Sequence, residues 1–135
     1  MSKQILSEGN TGYSVSLPRK DMDYLSSVSN ASGEAGKKIY NQIRSLEAMA
    51  LPAWGAKNMV VVNPGENRYV GNHLGGFQFD AKGLEYNGRI IIYAMPDDTY
   101  TILFGKLKGT NFKVDQKQDG VVVYNLVKAI NSVVR

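Results

Sequence analysis

Few residues in this 135-residue chain are equipped for chemistry. There is no Cys and a single His, His73. That composition excludes thiolate nucleophiles, disulfides and Cys-based zinc sites, and it leaves His73 as the one imidazole available to a nucleophilic triad. Two carboxylate pairs stand out, Asp21 with Asp23 and Asp97 with Asp98. Both fall where a helix start and a turn already favour acids, so neither reads as a glycosidase dyad. Gly33/Gly36 and Gly75-Gly76 lack the spacing and the Lys-Ser/Thr ending of a phosphate-binding loop. His73, between Asn72 and Leu74, is either a loop base or an ordinary surface histidine. Trp54, beside Pro52 and Gly55, reads as a cover over a helix end. What remains is a basic and aromatic group: Arg89, Tyr93, Lys106, Lys108, Lys113 and Tyr124.

The charge distribution supports that group. Lys and Arg number 16 against 12 acids, a net charge of +4. From Thr99 onward Lys106, Lys108, Lys113, Lys117, Lys128 and Arg135 are opposed by Asp115 and Asp119 alone. Such a stretch suits a phosphate-rich partner, or it is simply a solvated basic face. No apolar run is long enough to cross a bilayer, and MSKQILSEGN lacks the apolar core of a secretory signal. The expectation is one soluble cytoplasmic domain over 1–135, with 1–11 flexible.

The elements that must hold these residues follow from periodicity. Gly12–Leu17 alternates Tyr13, Val15 and Leu17 against small polar residues, a strand that Pro18 stops. Met22, Leu25 and Val28 predict a short helix over 19–28. Ser32 as cap, Glu34 in the first turn, and the stripe Ala35, Ile39, Ile43, Leu46, Met49 predict a second helix ending before Pro52, so that the two form a helical hairpin. Met59–Asn63 and Phe77–Asp80 read as short strands and Tyr69–His73 as a strand or a loop, with bends at Gly83 and Asn87-Gly88. Arg89–Met95, apolar on both faces, belongs at the centre of a covered sheet, with Thr99–Phe104 as its hairpin partner. Gly105–Gly120 reads as a basic loop, and 122–134 as a last amphipathic helix. The fold class is therefore α+β: an N-terminal strand and helical hairpin packed on an antiparallel sheet, with a C-terminal helix. Neighbouring strands lie about 4.8 Å apart, so Arg89 and Lys106 are expected on one rim of that sheet.

This order, with GGFQFDAKG and then GRIIIYAMPDDTYTILFGKLKGT, resembles the RelE/HigB-type toxins, ribosome-dependent ribonucleases whose helical hairpin precedes a strongly curved antiparallel sheet. The likeness covers roughly residues 12–134. Leu107 stands where an Arg often follows Gly-Lys, Phe77-Gln78-Phe79 stands where RelE itself carries paired lysines, and the segment from Lys106 to Tyr124 is longer than usual; the HigB-like branch, with its Lys-Lys-Thr segment after the strand, fits better than RelE itself. The resemblance implies metal-independent attack of the 2′-hydroxyl on the adjacent phosphate, with no cofactor. Arg89 would clamp the scissile phosphate, Lys106 or Lys108 would donate a proton or hold charge, and Tyr124 or Tyr93 would stack on a base. Lys82, Tyr93, Lys113 and Lys117 would contact RNA. The general base stays unassigned, His73 being an outside candidate. Implied partners are mRNA, the ribosome and a cognate antitoxin protein. Two other classes stay open: a non-catalytic nucleic-acid- or ribosome-binding module using the same cationic rim, and a phage-encoded inhibitor of a host enzyme using Trp54, Tyr69 and Phe77 as its hot spot.

Overall fold

The computed structural model describes residues 33–135 together with the backbone of Ser14–Ser16. The helix expected over 19–28, the acids Asp21 and Asp23 within it, and the Ser32 cap lie outside the described residues. Strand β1 (Ser14–Ser16) is followed by helices α1 (Glu34–Leu46) and α2 (Ala50–Ala53). Strands β2 (Lys57–Val62), β3 (Gly65–Asn67), β4 (Gly71–His73), β5 (Gly76–Lys82), β6 (Asn87–Ala94), β7 (Tyr100–Lys108) and β8 (Asn111–Val121) come next. A 3₁₀ turn (Val123–Asn125) leads into helix α3 (Leu126–Val134). This is an α+β fold. Among the described residues no helix is long and apolar enough to cross a membrane.

One six-stranded sheet, in the order β1-β2-β5-β6-β7-β8, is antiparallel throughout, and β3 and β4 form a separate two-stranded hairpin. β6 is an interior strand, as its apolar run requires: Ile90, Ile91, Ile92 and Tyr93 are all fully buried. Alternation sends Ile90 and Ile92 to one face, where Phe77, Phe79, Ile102 and Phe104 meet Ile39 and Ile43 of α1 and Leu126, Ile130 and Val134 of α3. It sends Ile91 and Tyr93 to the other face, with Val62, Leu103 and Phe112, under Tyr69 and Val70 of the β3–β4 hairpin. Both faces are covered, so the strand has no polar side to alternate with.

The α1 stripe is narrower than its sequence suggests. Gly36, Ile39, Tyr40 and Ile43 are buried, whereas Leu46 and Met49 turn outward because the helix ends at Leu46. Gly33 is the N-cap, without a side-chain cap bond, while Glu34 and Arg44 sit at the ends the helix dipole favours. Gly36 is what lets α1 lie on the sheet, since a Cβ there would come within 2.6 Å of Val61 Cγ1.

Two sequence expectations are corrected here. Segment 105–120 is not a loop: it is the end of β7 and nearly all of β8. An edge strand has one hydrogen-bonded neighbour and a wet margin, so β8 buries only Phe112 and Val121 and reads as polar. The bend expected at Asn87-Gly88 lies earlier: those residues belong to β6, and the chain turns over 83–86, where Gly83 N–H donates to Tyr86 O.

Candidate nucleic-acid interface

Beyond its pairing with Arg89 of β6 through Gly105, β7 continues with β8 as a two-stranded arm. The arm closes through Gly109 and Thr110, and Gly109 supplies the positive φ of 64° that the short turn needs. In the arm Lys106 is directly opposite Lys113, and Lys108 is opposite Asn111. Their side chains share one face, and all three lysines are exposed. Opposed residues in a ladder have Cβ atoms about 5 Å apart, and like charges so placed repel. Lys106 rests its Nζ 5.1 Å from the centre of the Tyr86 ring, on the attractive π face. Tyr86 is fixed in turn by its hydroxyl donating to Asp115 Oδ2 at 2.8 Å. Burial, then that carboxylate, push the Tyr86 pKa well above its usual value, so it stays a neutral platform. Among the described residues no carboxylate forms an ion pair with Lys106, Lys108 or Lys113.

Arg89 is near these lysines along the backbone and apart from them in space. Its side chain shares the Asp80 face, opposite to that of Lys106. Asp80 is its cross-strand partner: Arg89 Nε donates to Oδ1 at 2.8 Å and Nη2 to Oδ2 at 3.3 Å. Asn58, held at a φ of 55°, donates its side-chain amide to the same Oδ2 at 2.8 Å. Arg89 is 8% exposed, and its Nη1 is buried without a hydrogen-bond partner among the described residues. A fork this committed is first of all a structural ion pair.

The other sequence candidates scatter. Tyr124 is exposed in the 3₁₀ turn beyond Val121, which pairs with Tyr100 at the far end of β7. Lys106 is six strand steps from Tyr100, about 20 Å at 3.3 Å per residue, so Tyr124 does not join the arm. Tyr93 is fully buried beneath the β3–β4 hairpin and offers no ring to a base. Lys82 is exposed at the end of β5, and its backbone N–H donates to Trp54 O at 2.8 Å. Lys117 lies on the hairpin side of β8, donating to Tyr69 O at 3.1 Å and standing 3.9 Å from Asp119. His73 is no surface residue: it is 3% exposed, and desolvation lowers its pKa to about 4. Trp54 and Phe77 are wholly buried, Trp54 stacking on Phe79 and donating Nε1 to Asn131 Oδ1 at 2.6 Å, so the expected apolar hot spot is core. Asp97 is a turn acid that accepts from the Thr99 amide and hydroxyl, bonds that hold its carboxyl below the usual range. Among the described residues no group of His, Asp and Glu is arranged to hold a metal ion.

No family model, curated protein or solved structure matches this chain.

Sequence reasoning missed Asp80, Asn58 and Tyr86. The signal for Asp80 was present: with the turn placed at 83–86, hairpin register sets Asp80 opposite Arg89. Tyr86 carried none, because its role depends on a ring reaching across to Lys106.

Proposed function

We propose that this protein binds nucleic acid, with the β7–β8 arm as the contact surface and Lys106, Lys108 and Lys113 as its phosphate ligands. The observation that carries the reading is the opposed pair Lys106 and Lys113, exposed on one face and in no ion pair among the described residues, the nearby Asp115 being engaged by the Tyr86 hydroxyl. Like charges held together by strand register are relieved by a partner of opposite charge. Lys106 and Lys108 repeat at the two-residue pleat, about 6.6 Å, which suits a polyanion better than a single small anion. The Tyr86 ring under Lys106 holds its ammonium in place without neutralising it.

Messenger-RNA cleavage, implied by the likeness to the RelE/HigB toxins, asks more of the same rim. It needs Arg89 to exchange Asp80 for a phosphate and Tyr124 to act from the far end of β7. Binding needs neither, and is the reading preferred.

The test is titration of a fluorescent single-stranded RNA at two ionic strengths. Three phosphate contacts on a single strand give a log–log salt slope near about −2, so affinity falls roughly twentyfold between about 50 and about 200 mM salt. Joint replacement of Lys106, Lys108 and Lys113 by Ala abolishes most of that slope. Absence of binding at the lower salt, or a slope the triple variant leaves intact, refutes the assignment. Primer extension on abundant mRNAs after induced expression separates the two readings: new cleavage ends that vanish in Arg89→Lys would establish the nuclease.

A further inference from the structure

Beneath the β3–β4 hairpin, Asn67 of β3, His73 of β4 and Tyr93 of β6 are 4%, 3% and 0% exposed. The His73 and Tyr93 rings lie 4.4 Å apart, centroid to centroid. Asn67 approaches the Tyr93 hydroxyl closely enough to oppose, in part, the effect of burial on its ionisation.

The backbone fixes how two of these groups point. Gly75 N–H donates to His73 Nδ1 at 3.1 Å, which places the proton of the neutral ring on Nε2. Asn67 Oδ1 accepts from the amides of Tyr69 and Val70 at 2.8 and 3.0 Å, so its NH₂ faces the other way. His73 Nε2, Asn67 Nδ2 and the Tyr93 hydroxyl then reach no hydrogen-bond partner among the described residues. Asn63 Oδ1, just past the end of β2, is buried in the same condition. Unpaired buried polar atoms are rare because each is costly, and a group of them in one part of a fold points to a shared partner.

The inventory selects that partner. A metal cation needs a lone pair, and His73 has none to give: Nδ1 is occupied and Nε2 carries the proton. An anion suits the donors, but His73, Asn67 and Tyr93 are all neutral here, and burying an uncompensated charge costs far more than burying a water. Water accepts and donates at once, and buried waters make about three bonds.

We propose that the β3–β4 hairpin closes over a resident water molecule. It accepts from His73 Nε2–H and Asn67 Nδ2–H and bonds the Tyr93 hydroxyl, about three bonds in all. The hairpin is then a fixed cover. It is tied down at Tyr69, whose hydroxyl donates to Phe112 O at 3.1 Å and whose carbonyl accepts from Lys117.

The test uses the full ¹⁵N-labelled chain in solution. Long-range ¹H–¹⁵N spectra at neutral pH should show His73 as the Nε2–H tautomer in slow exchange. Nuclear and rotating-frame Overhauser spectra should give water cross-peaks of opposite sign, the mark of a long-lived bound water, from that proton and from the Asn67 side-chain amide; same-sign peaks, the mark of passing surface water or exchange, would overturn the site. Both should be unmoved by excess chloride or phosphate, and Tyr93→Phe should weaken the cross-peak at His73. A ring protonated on Nδ1, an Nε2–H lost to rapid exchange, or contacts to protein protons alone would overturn the site. Resonances that shift with added anion would assign it to an anion instead. An unchanged cross-peak in Tyr93→Phe would also overturn it, by removing Tyr93 from the bridge.

Discussion

Acidification should destabilise this fold through His73. The ring is 3% exposed, and burial lowers its pKa from 6.5 to about 4. The native state therefore holds the ring neutral while the unfolded chain takes up a proton below 6.5. In that window the unfolded state binds more protons, so stability is complete above 6.5 and falls as pH drops toward about 4. Linkage puts the loss at about 2 kcal/mol between about pH 7 and about pH 5, and about 3 kcal/mol by about pH 4. His73 is the chain's single histidine, and no other side-chain type has an ordinary pKa in the upper part of this range. Urea unfolding at a series of pH values measures the effect, with His73→Gln as the control that keeps a polar side chain and removes the titration. The wild-type curve should slope between about pH 7 and about pH 5, and the variant's should be nearly flat there. Parallel curves would refute the reasoning, because the acid loss would then belong to groups other than His73.

Asp80→Ala leaves Arg89 buried beside an empty position and should cost about 2–4 kcal/mol, the lower end being favoured because Asp80 is one-quarter exposed. Thermal unfolding checks this, and Asp80→Ala combined with Arg89→Met should recover part of the loss. Gly36→Ala forces a Cβ against Val61 and the Gly76 carbonyl and should lower stability by about 1–3 kcal/mol despite alanine's better helix propensity, as read by urea denaturation. Trp54→Phe removes the donor to Asn131 Oδ1 and should cost about 1–3 kcal/mol, with most of the stacking on Phe79 retained; the melting temperature reports it. Lys106→Ala should weaken RNA binding and flatten its salt slope by about 0.7, whereas Lys128→Ala, on α3, should leave both unchanged in the same titration.

The elements read correctly from the sequence are those whose packing is written as a local pattern. Ile90-Ile91-Ile92 is apolar without alternation, which suits an interior strand covered on both sides. Leu126, Ile130 and Val134 repeat at helical spacing and fill the face that α3 presents to the sheet. β8 left no such trace, because Lys113, Asp115, Gln116 and Lys117 need only tolerate an edge. The site was half legible for the same reason. The lysines were visible as charge, but the faces they occupy depend on reading 105–120 as paired strands. The partner of Arg89 depended on the length of one turn. His73 read as surface because nothing in Asn72-His73-Leu74 reports that a hairpin folds back over Tyr93.

The order of strands in the main sheet also has a kinetic meaning. From β5 to β8 each strand pairs with its successor in the chain, so four strands assemble by closing three short connections. Pairing β2 with β5 must instead wait for the hairpin between them to be looped out. Short loops cost little entropy to close, and chains rich in such contacts fold fast. The meander over 76–121 is thus the segment able to organise first, presenting Phe77, Ile92 and Ile102 as a template on which α1 and α3 dock. In native-state hydrogen exchange, the amides of β6 then belong to the last unit to open, and those of β3 and β4 to an earlier one.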